Sequence, residues 1–377
     1  MEQNRAVPGA GLYKPYQSDV FNVDNGYDYL LAQGYIGFNV TRHVGVQFGH
    51  GRNFIGQGYR SMLLSDFATD YLYLKINTRV WKLHYQNIFA ELNAFGTRDE
   101  SRVVIPKKYL SAHYLSYRPT PNFSVGFYEA VLYSRERQLE LQYLNPVIFY
   151  RTIEQGLASP DNVLIGLDFK WNLFKKVQLY GQLMLDEFKF DELILERRGW
   201  WGNKFGVQAG AKYIDLFGID HLDVRLEWNM ARPYTYTHFD STANYTHTNQ
   251  ALAHPLGANF QEVLGTLRYQ ATKKLLLEAR LIAATTGEDE EGTNWGIDLL
   301  RDYDSRELEI GNEIGQGVGA QMLLAGLDVT YQLYHNIFID LNVMYRRFDS
   351  DLDARDVNSR YIGAGIRMNI GRQRFDF

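Results

Sequence analysis

Ser111 and His113 are the residues whose types and spacing suit covalent catalysis. They lie two positions apart in an alternating segment, so both side chains project from the same face of a β-strand. In that arrangement the imidazole would be the base that activates the serine hydroxyl, as in a lipase of the outer membrane. Since nothing nearby in the sequence is placed to orient the imidazole, we expect a protein that is not an enzyme.

A glycine-rich segment, GHGRNFIGQGYRSMLLSDFATDY at 49–71, has the composition of a phosphate-binding loop. Its glycines do not fit G-x-G-x-x-G, because four residues separate Gly51 from Gly56, and no helix is predicted after it. We predict a loop that folds inward and is held by its own hydrogen bonds. The side chains that offer donors and acceptors to the loop or to a ligand are Arg52, Asn53, Arg60, Ser65 and Asp66.

Acidic residues are concentrated between Glu288 and Asp304, in a segment that offers oxygen ligands for a divalent cation. Their spacing is not the D-x-D-x-D-G pattern of a calcium-binding loop, so we expect a solvated acidic loop. The chain also has no cysteine, which excludes thiolate metal sites and disulfides. We therefore predict no metal site and no cofactor.

The net charge is −5 and the 39 basic residues are dispersed along the chain, which argues against a nucleic-acid partner. Aromatic residues are abundant, with 27 tyrosines, 22 phenylalanines and 6 tryptophans. No window approaches about 18 uncharged apolar residues, so no transmembrane helix is predicted. The first residues lack the apolar core of a signal peptide, and we expect a chain from which the signal has been removed.

Period-2 alternation of apolar and polar residues runs through most of the chain and predicts β-strands. The runs exceed the roughly 5–6 residues of an ordinary strand and reach the roughly 9–11 residues that cross a bilayer at a tilt. We therefore predict an all-β fold, a transmembrane antiparallel β-barrel of the outer membrane. The predicted strands lie near 29–40, 43–50, 70–78, 80–92, 108–118, 122–132, 162–173, 175–187, 203–214, 221–232, 260–271, 273–284, 318–332, 335–348 and 358–370.

The predicted connections alternate between short and long, as in barrels with short periplasmic turns and long extracellular loops. The first predicted strand runs toward a short turn, so an ascending strand should precede it, within AGLYKPYQSDVF. We predict about 16 strands, within roughly 14–18, because bacterial barrels have even numbers of strands. They form a single domain spanning 1–377, in which the segment 1–27 is expected to be partly irregular.

The inward-facing positions of these strands carry charges of both signs, which would neutralise one another in a filled lumen. We predict a narrow or occluded lumen, with an open channel as the alternative. The charged residues assigned to the inward face are Lys75, Lys82, Glu129, Asp168, Lys170, Asp186, Lys212, Asp223, Arg225, Glu227, Glu262, Arg268, Glu278, Arg280, Asp340, Arg346 and Arg367.

One segment, QYLNPVIFYRTIEQGLASPDN at 142–162, predicts a short helix within a long extracellular loop. Asn145 is suited to the N-cap, Pro146 to the first helical position, and Gly156 to the end of the helix. Such a helix would cap or plug the barrel, or line a binding groove.

Trp200, Trp201 and Trp295 lie in predicted long loops. An aromatic ring beside polar groups suits the flat, amphipathic ring of a sugar. The alternative is the aromatic girdle at the membrane interface. All three are candidate contacts of a polysaccharide, and both roles stay open at this point.

Three stretches within residues 45–190 together resemble the Wzi-like capsule-assembly barrels in their Bacteroidota form, some of which are named as gliding-motility proteins. They are GHGRNFIGQGYRSMLLSDFA, YLNPVIFYRTIEQ and SPDNVLIGLDFKWNLFKKVQLYGQLMLDEF. Enterobacterial members are rich in tryptophan where this chain has Asn53, Phe54 and Ile55. The residues that match by position are Arg52, Asn53, Gly56, Gly58, Tyr59, Arg60, Ser65 and Asp66 in the first stretch, with Tyr143, Asn145, Pro146, Tyr150 and Arg151 in the second.

The resemblance implies a monomeric barrel in the bacterial outer membrane, surrounded by lipid and lipopolysaccharide. Its outer face would bind exported capsular or surface polysaccharide and anchor it without catalysis, with the matched polar and aromatic residues as contacts. The alternative is a structural or accessory role in a gliding-motility or surface-secretion complex, with other outer-membrane or secretion-complex proteins as partners. An outer-membrane lipase is a minor alternative.

Overall fold

Fifteen long β-strands form one antiparallel sheet in the computed structural model, which describes residues 6–7, 11–12, 31–94, 98–99, 102–103, 106–134, 140–146, 150, 161–187, 189, 191–196 and 198–369. The strands are β1 (Gly34–Asn39), β2 (Val44–Gly51), β3 (Tyr71–Val80), β4 (Leu83–Asn93), β5 (Lys107–Thr120), β6 (Phe123–Tyr133), β7 (Asn162–Leu173), β8 (Val177–Glu187), β9 (Lys204–Tyr213), β10 (Leu222–Ala231), β11 (Phe260–Thr272), β12 (Leu275–Glu288), β13 (Val318–Tyr334), β14 (Ile337–Ser350) and β15 (Val357–Met368).

Each strand pairs with its neighbours in sequence, so the sheet is a continuous meander from β1 to β15. All fifteen predicted strands are confirmed, although the first begins at Gly34 rather than at residue 29. Within the described residues β1 and β15 are the two edges of the sheet. The sixteenth predicted strand falls at 10–21, where only Gly11–Leu12 is described, paired with Ala6–Val7, so the count of 16 stays a prediction.

The other elements are short, and they lie in the connections between the long strands. None of the helices in the described ranges combines the length and the apolar character that crossing a membrane requires. These elements are the hairpins Arg98–Asp99 with Arg102–Val103 and Thr246–His247 with Gln250–Ala251, the 3-10 turns Leu141–Leu144, Leu216–Gly218, Ser241–Ala243, Tyr303–Ser305 and Asp353–Arg355, and the π turn Asp191–Glu196.

The largest apolar core lies on the inner face of the sheet, where the connection between β2 and β3 packs against the wall. We call residues 52–70 the plug loop. Its Met62, Leu63 and Leu64 are completely buried in one cluster with Leu164 of β7. Each buried side chain of this size stabilises the fold by roughly 1.5–3 kcal/mol. The predicted inward folding of this loop is confirmed.

A second connection, residues 232–259 between β10 and β11, covers the plug loop, and we call it the lid loop. Ser65 N donates to Leu252 O at 2.8 Å, which joins the two loops directly. Lys108 of β5, fully buried, donates from Nζ to Asn244 O at 2.6 Å. The lid loop is therefore anchored both to the plug loop and to the wall.

The connection between β6 and β7 has a different position, because its described residues lie on the outer face of the wall. Tyr143 and Tyr150 are fully buried in a cluster with Val131, an outward-facing residue of β6. Tyr85 OH, on the outer face of β4, donates to Pro146 O at 2.5 Å. This part of the connection therefore neither caps nor plugs the lumen. The predicted helix from 146 to 156 lies mostly outside the described residues.

The outer-face position of this segment also corrects the assignment of Glu129 to the lumen. Glu129 pairs across the ladder with His113, and both point away from the plug loop. Asn87 and Ser111 lie on the same outer face, and all four side chains are buried. The sequence prediction places Glu129 on the wrong face of β6, because aliphatic residues occupy both faces of that strand near its extracellular end. The period-2 pattern therefore does not distinguish the two faces there.

Candidate functional site

The tip of the plug loop is held by the carboxylate of Glu227, on the inner face of β10. Its oxygens accept from two successive backbone groups, Tyr59 N at 2.7 Å and Arg60 N at 3.0 Å. Tyr180 OH donates to the same carboxylate at 2.8 Å. Hydrogen bonds to a charged acceptor are stronger than neutral ones, so this contact fixes the loop tip firmly.

Gln182 of β8 holds the next part of the plug loop. Its side chain donates to Ile55 O at 3.0 Å and accepts from Met62 N at 2.7 Å. Gly56 passes this amide with φ of 130°, and a Cβ there would collide with Gln182 Nε2. The glycine is therefore required by both its backbone conformation and the close approach.

Charged groups of the lumen wall continue this network. Arg60 pairs with Glu262 at 3.4 Å, and His254 Nε2 lies 2.9 Å from the same carboxylate. Leu256 N donates to His254 Nδ1 at 3.2 Å, so the proton is on Nε2 and the ring is neutral. Burial lowers the pKa of His254 below its usual value, although Glu262 acts in the opposite direction. The predicted pairing of charges in a filled lumen agrees with these contacts.

Tryptophans and cations lie together on the extracellular side, where the 188–203 and 289–317 connections meet. The ring centroids of Trp200 and Trp201 are 5.8 Å apart, and Tyr303 is 4.7 Å from Trp201. Lys189 lies 4.2 Å from the centroid of Trp200, and Arg306 lies 4.1 Å from that of Trp201. These cation–π contacts hold the indoles in defined orientations.

A cleft of about 270 Å³ lies beside Trp200. Arg232 lines this cleft, and its NH2 group donates to Asn312 O at 3.2 Å and to Trp200 O at 3.4 Å. Arg198, at the rim, pairs with Glu192 at 2.5 Å. We call this cleft the Trp200 cleft, and its lining residues are Glu192, Arg198, Gly199, Trp200, Asn203, Arg232, Gly311, Asn312 and Glu313.

The candidate residues of the plug loop serve mainly the loop itself. Asn53 is buried and accepts from Lys75 Nζ at 2.8 Å, and Arg52 pairs with Asp70 at 3.0 Å. Ser65 is buried and donates to Ala253 O. Within this group, therefore, the side chains are occupied in holding the plug loop and the lid loop together.

The remaining candidates lie in several different places. Tyr59 points into the lumen, where Arg280 NH1 donates to its hydroxyl at 2.7 Å, while Asp66 is exposed on the plug loop. Residues 140–146 and 150, the described part of the connection between β6 and β7 that packs on the outer face, are called the outer-wall segment, and they include Tyr143, Asn145 and Tyr150. Arg151 lies outside the described residues. The extracellular connections contain Trp200, Trp201 and Trp295. The structure thus does not bring the predicted residues into one site.

The Trp200 cleft includes residues that the sequence did not single out. Arg198, Arg232 and Asn312 come from three different connections, and Asn312 is 80 residues from its partner Arg232. Only the two adjacent tryptophans were visible as a local signal. Within the described ranges, no group of three or more potential ligands is placed to hold a metal ion.

Ser111 and His113 lie on the outer wall, where His113 lines a mostly apolar cleft of about 530 Å³ that Ser111 does not reach. Both are buried beneath Tyr150, whose ring centroid is 4.0 Å from that of His113. Ser111 and His113 therefore form part of a covered polar patch on the outer wall of the barrel.

A long antiparallel meander, with a lumen filled by its own loops, defines the class of this protein as the outer-membrane β-barrels. The sequence profile of the family described as "Capsule assembly protein Wzi" matches residues 12–360. The chain belongs to this family. It is a protein of the bacterial outer membrane and not an enzyme.

The fold of this chain is also similar to that of solved outer-membrane proteins. The Escherichia coli protein Wzi, an outer-membrane protein involved in group 1 capsule assembly and described as a carbohydrate-binding β-barrel, superposes with a TM-score of 0.61 at 15% identity, covering 93% of this chain and 73% of that chain. OprD of Pseudomonas aeruginosa matches at 12% identity and a TM-score of 0.48, covering 92% of this chain and 82% of that one. None of the curated proteins matches in sequence. At such low identity, the likeness to Escherichia coli Wzi shows a shared fold.

Proposed function

We propose that this protein binds exported surface polysaccharide at the extracellular face of the outer membrane and anchors it there without catalysis. The observation that carries the proposal is the Trp200 cleft, which combines an oriented indole with charged and amide side chains. The carbohydrate binding described for Escherichia coli Wzi supports the same reading. The chain would act as a single barrel domain, surrounded by lipid and lipopolysaccharide.

The chemistry of the cleft fits a sugar ring. The face of Trp200 provides an apolar platform for the C–H groups of a pyranose, and Lys189 holds this indole in place. Arg198 and Asn312 offer donors, and Glu192 offers an acceptor, for hydroxyl groups at the ring edge. Such a site recognises a saccharide through one stacked face and a few directed hydrogen bonds.

The position of the two loops in the lumen supports a path for the polymer over the outer surface. The plug loop and the lid loop are joined by Ser65 N to Leu252 O at 2.8 Å and occupy the extracellular half of the lumen. A polysaccharide would therefore lie across the outer surface and would not be threaded through the barrel. Of the plug-loop candidates, the exposed Asp66 is placed to extend such a surface.

The test compares Trp200→Ala with Trp171→Ala in a strain that lacks the chromosomal copy. Trp171 is an exposed residue on the outer face of β7, so its loss removes an indole without touching the cleft. Loss of one stacking contact worth about 1.4 kcal/mol lowers affinity roughly tenfold. We expect Trp200→Ala to release surface polysaccharide into the medium, measured by uronic-acid and neutral-sugar assays of cells and supernatant.

The control variant should retain the polysaccharide as the wild-type protein does. A deletion strain that keeps its full capsule would exclude the anchoring function. Affinity purification from native membranes, analysed for both glycan and protein, separates this function from an accessory role in a protein complex. Recovery of partner proteins with no bound glycan would support that alternative instead.

A further inference from the structure

Two clefts lie in the lumen below the plug loop, on the side of the short turns. The first, of about 510 Å³, is lined by charged residues of both signs. Arg268 pairs there with Glu278 at 3.4 Å, and Arg280 is bonded to Tyr59 OH at 2.7 Å. The cations and carboxylates that line this first cleft therefore neutralise much of one another's charge.

The second cleft, of about 640 Å³, lies between the plug loop and strands β3 to β7. We call it the basic cleft, because its lining contains four permanent cations and no carboxylate. Hydrogen-bonding side chains without charge surround the cations. The lining includes Arg79, Lys82, Arg118 and Lys170, together with Gln86, Tyr114, Ser116 and Ser124.

The cations of the basic cleft have no carboxylate partner within 4.0 Å among the described residues. The nearest carboxylate is Asp168, two residues from Lys170 on the inner face of β7, and it is buried and accepts from Tyr114 OH at 2.8 Å. Lys82 Nζ donates to Pro119 O at 2.6 Å, which leaves its charge uncompensated. Arg79, Lys82 and Arg118 are exposed and Lys170 is half-buried. Four like charges that line one cleft create a positive potential there, which attracts an anion.

We propose that the basic cleft binds a short acidic oligosaccharide, or the end of an acidic polysaccharide, from the periplasmic side. Strands β3 to β7 and Phe54–Gln57 of the plug loop line the cleft, and Arg79, Lys82 and Arg118 lie close to the short turns. We therefore expect a ligand to enter from the short-turn end. Serine hydroxyls and the amide of Gln86 suit sugar hydroxyls, and the cations suit carboxylates. The saccharide class rests on the proposed function, whereas the position and the charge of the ligand rest on this cleft alone.

The experiment measures binding to the purified full chain in detergent by isothermal titration calorimetry. The probes are a galacturonate hexamer and, as a neutral control of equal length, a glucose hexamer. We expect only the acidic hexamer to bind, with affinity that falls at least tenfold between low and high salt, because screening weakens these contacts. Sodium sulfate at matched ionic strength should not compete more strongly than sodium chloride.

Two pairs of substitutions test the position of the site. Arg118→Gln with Lys170→Gln, and separately Arg79→Gln with Lys82→Gln, should each lower the affinity for the acidic hexamer at least tenfold. Arg268→Gln is the matched control, since it removes one cation from the other cleft, and its affinity should equal that of the wild-type protein. Heat-modifiable migration in electrophoresis identifies variants that keep the folded barrel.

The proposal is wrong if the wild-type protein does not bind the acidic hexamer, or if both double variants bind it as the wild-type protein does. Stronger competition by sulfate would show a simple anion site and would also exclude the proposal. Trp200→Ala should leave this binding unchanged. Failure of the basic cleft is therefore distinguishable from failure of the extracellular Trp200 cleft, which is read from polysaccharide retention on cells.

Discussion

Gly56 is a position at which the plug loop passes very close to the wall of the lumen. It combines a positive φ of 130° with an approach to Gln182 that leaves no room for a Cβ. Gln182 in turn holds two backbone groups of the loop, so a shift of its amide would release both. At the residue scale, therefore, the inward position of the loop depends on one glycine and one amide.

We predict that Gly56→Ala destabilises the folded plug loop by about 2–4 kcal/mol, the sum of backbone strain and a displaced buried amide. Gly218→Ala is the matched control, because Gly218 also has positive φ, 83°, but has open space where the Cβ would lie. The control should cost only about 1 kcal/mol. Hydrogen exchange of residues 55–65 provides the measurement, and equal exchange in both variants would show that the contact with Gln182 is unimportant.

The position of the lid loop depends on a histidine that is neutral in the folded protein. His247 Nδ1 accepts from Asn93 N at 3.0 Å, and its Nε2 lies 3.3 Å from Asp70 O. Burial lowers the pKa of His247 from 6.5 to about 4, with Lys107 and Lys108 acting in the same direction. Protonation would place a second N–H against Asn93 N and break the contact.

We predict that acidification loosens the lid loop. The folded state keeps His247 neutral, whereas the opened state takes up a proton at its usual pKa of 6.5. The contribution of neutral His247 to the stability of the lid loop is therefore fully present above pH 7 and declines as the pH falls below about 6.5. Near pH 4 this contribution, up to about 3 kcal/mol, is lost. Hydrogen exchange of residues 244–254 should accelerate over this range. His247→Gln should reduce that dependence, and an unchanged profile would assign it to His238 or His254.

The outer-wall segment is an element with a protective role. It covers polar side chains on β4 to β6 that would otherwise face hydrocarbon, among them His113 and Asn87. Tyr150 contacts His113 directly, with 4.0 Å between ring centroids. Exposing polar or charged groups to the bilayer core is costly, so the covering segment stabilises the barrel in the membrane.

We predict that Tyr150→Ala lowers the stability of the barrel in lipid by about 3–5 kcal/mol, the cost of a lost aromatic side chain together with newly exposed polar groups. Leu167→Ala is the control, since Leu167 is an exposed residue on the same outer face and covers nothing. Its cost should be below about 1 kcal/mol. Unfolding by urea from vesicles gives both values. Equal costs would mean that the segment does not shield the polar patch.

At the scale of the whole molecule, the barrel is a scaffold whose own loops fill the extracellular half of the lumen. The plug loop contacts walls as distant as β3, through Lys75 and Asn53, and β12, through Arg280 and Tyr59. Glu227 anchors its tip near the middle. We expect the intact protein to conduct ions poorly compared with an open porin.

We predict that Glu227→Gln increases single-channel conductance in planar bilayers, because the plug loop loses a charged acceptor worth about 1.5–3 kcal/mol. Glu278→Gln removes a carboxylate from the lumen floor without touching the plug loop, and its conductance should equal that of the wild-type protein. Wild-type conductance at the level of a general porin would contradict the occluded lumen. Equal conductance in both variants would show that Glu227 does not hold the plug.

Sequence patterns predicted the strands well because the determinants are local. Leu167, Phe169 and Trp171 face lipid while Asp168 and Lys170 face the lumen, and this alternation is visible within a dozen residues. It was least reliable in β6, where Tyr128 to Tyr133 are apolar or buried on both sides. There the covering segment makes both faces interior, so Glu129 could not be placed from periodicity.

The candidate site was predictable only in part, for a related reason. Trp200 and Trp201 are adjacent and easily noticed, but the cleft requires Arg232 and Asn312, which are 80 residues apart. The basic cleft likewise joins Arg79 to Lys170 through strands whose register had to be known first. No local pattern reports which loops meet.

The sequence by itself therefore specified a long meander of membrane-crossing strands, with alternating short and long connections, since strand period and length are properties of contiguous residues. The tertiary structure alone placed the connections: the plug loop inside, the lid loop over it, and the segment around Tyr150 outside the wall. Those positions depend on pairs such as Tyr59 and Glu227, 168 residues apart, whose hydrogen bonds exist only once the sheet has curved around them.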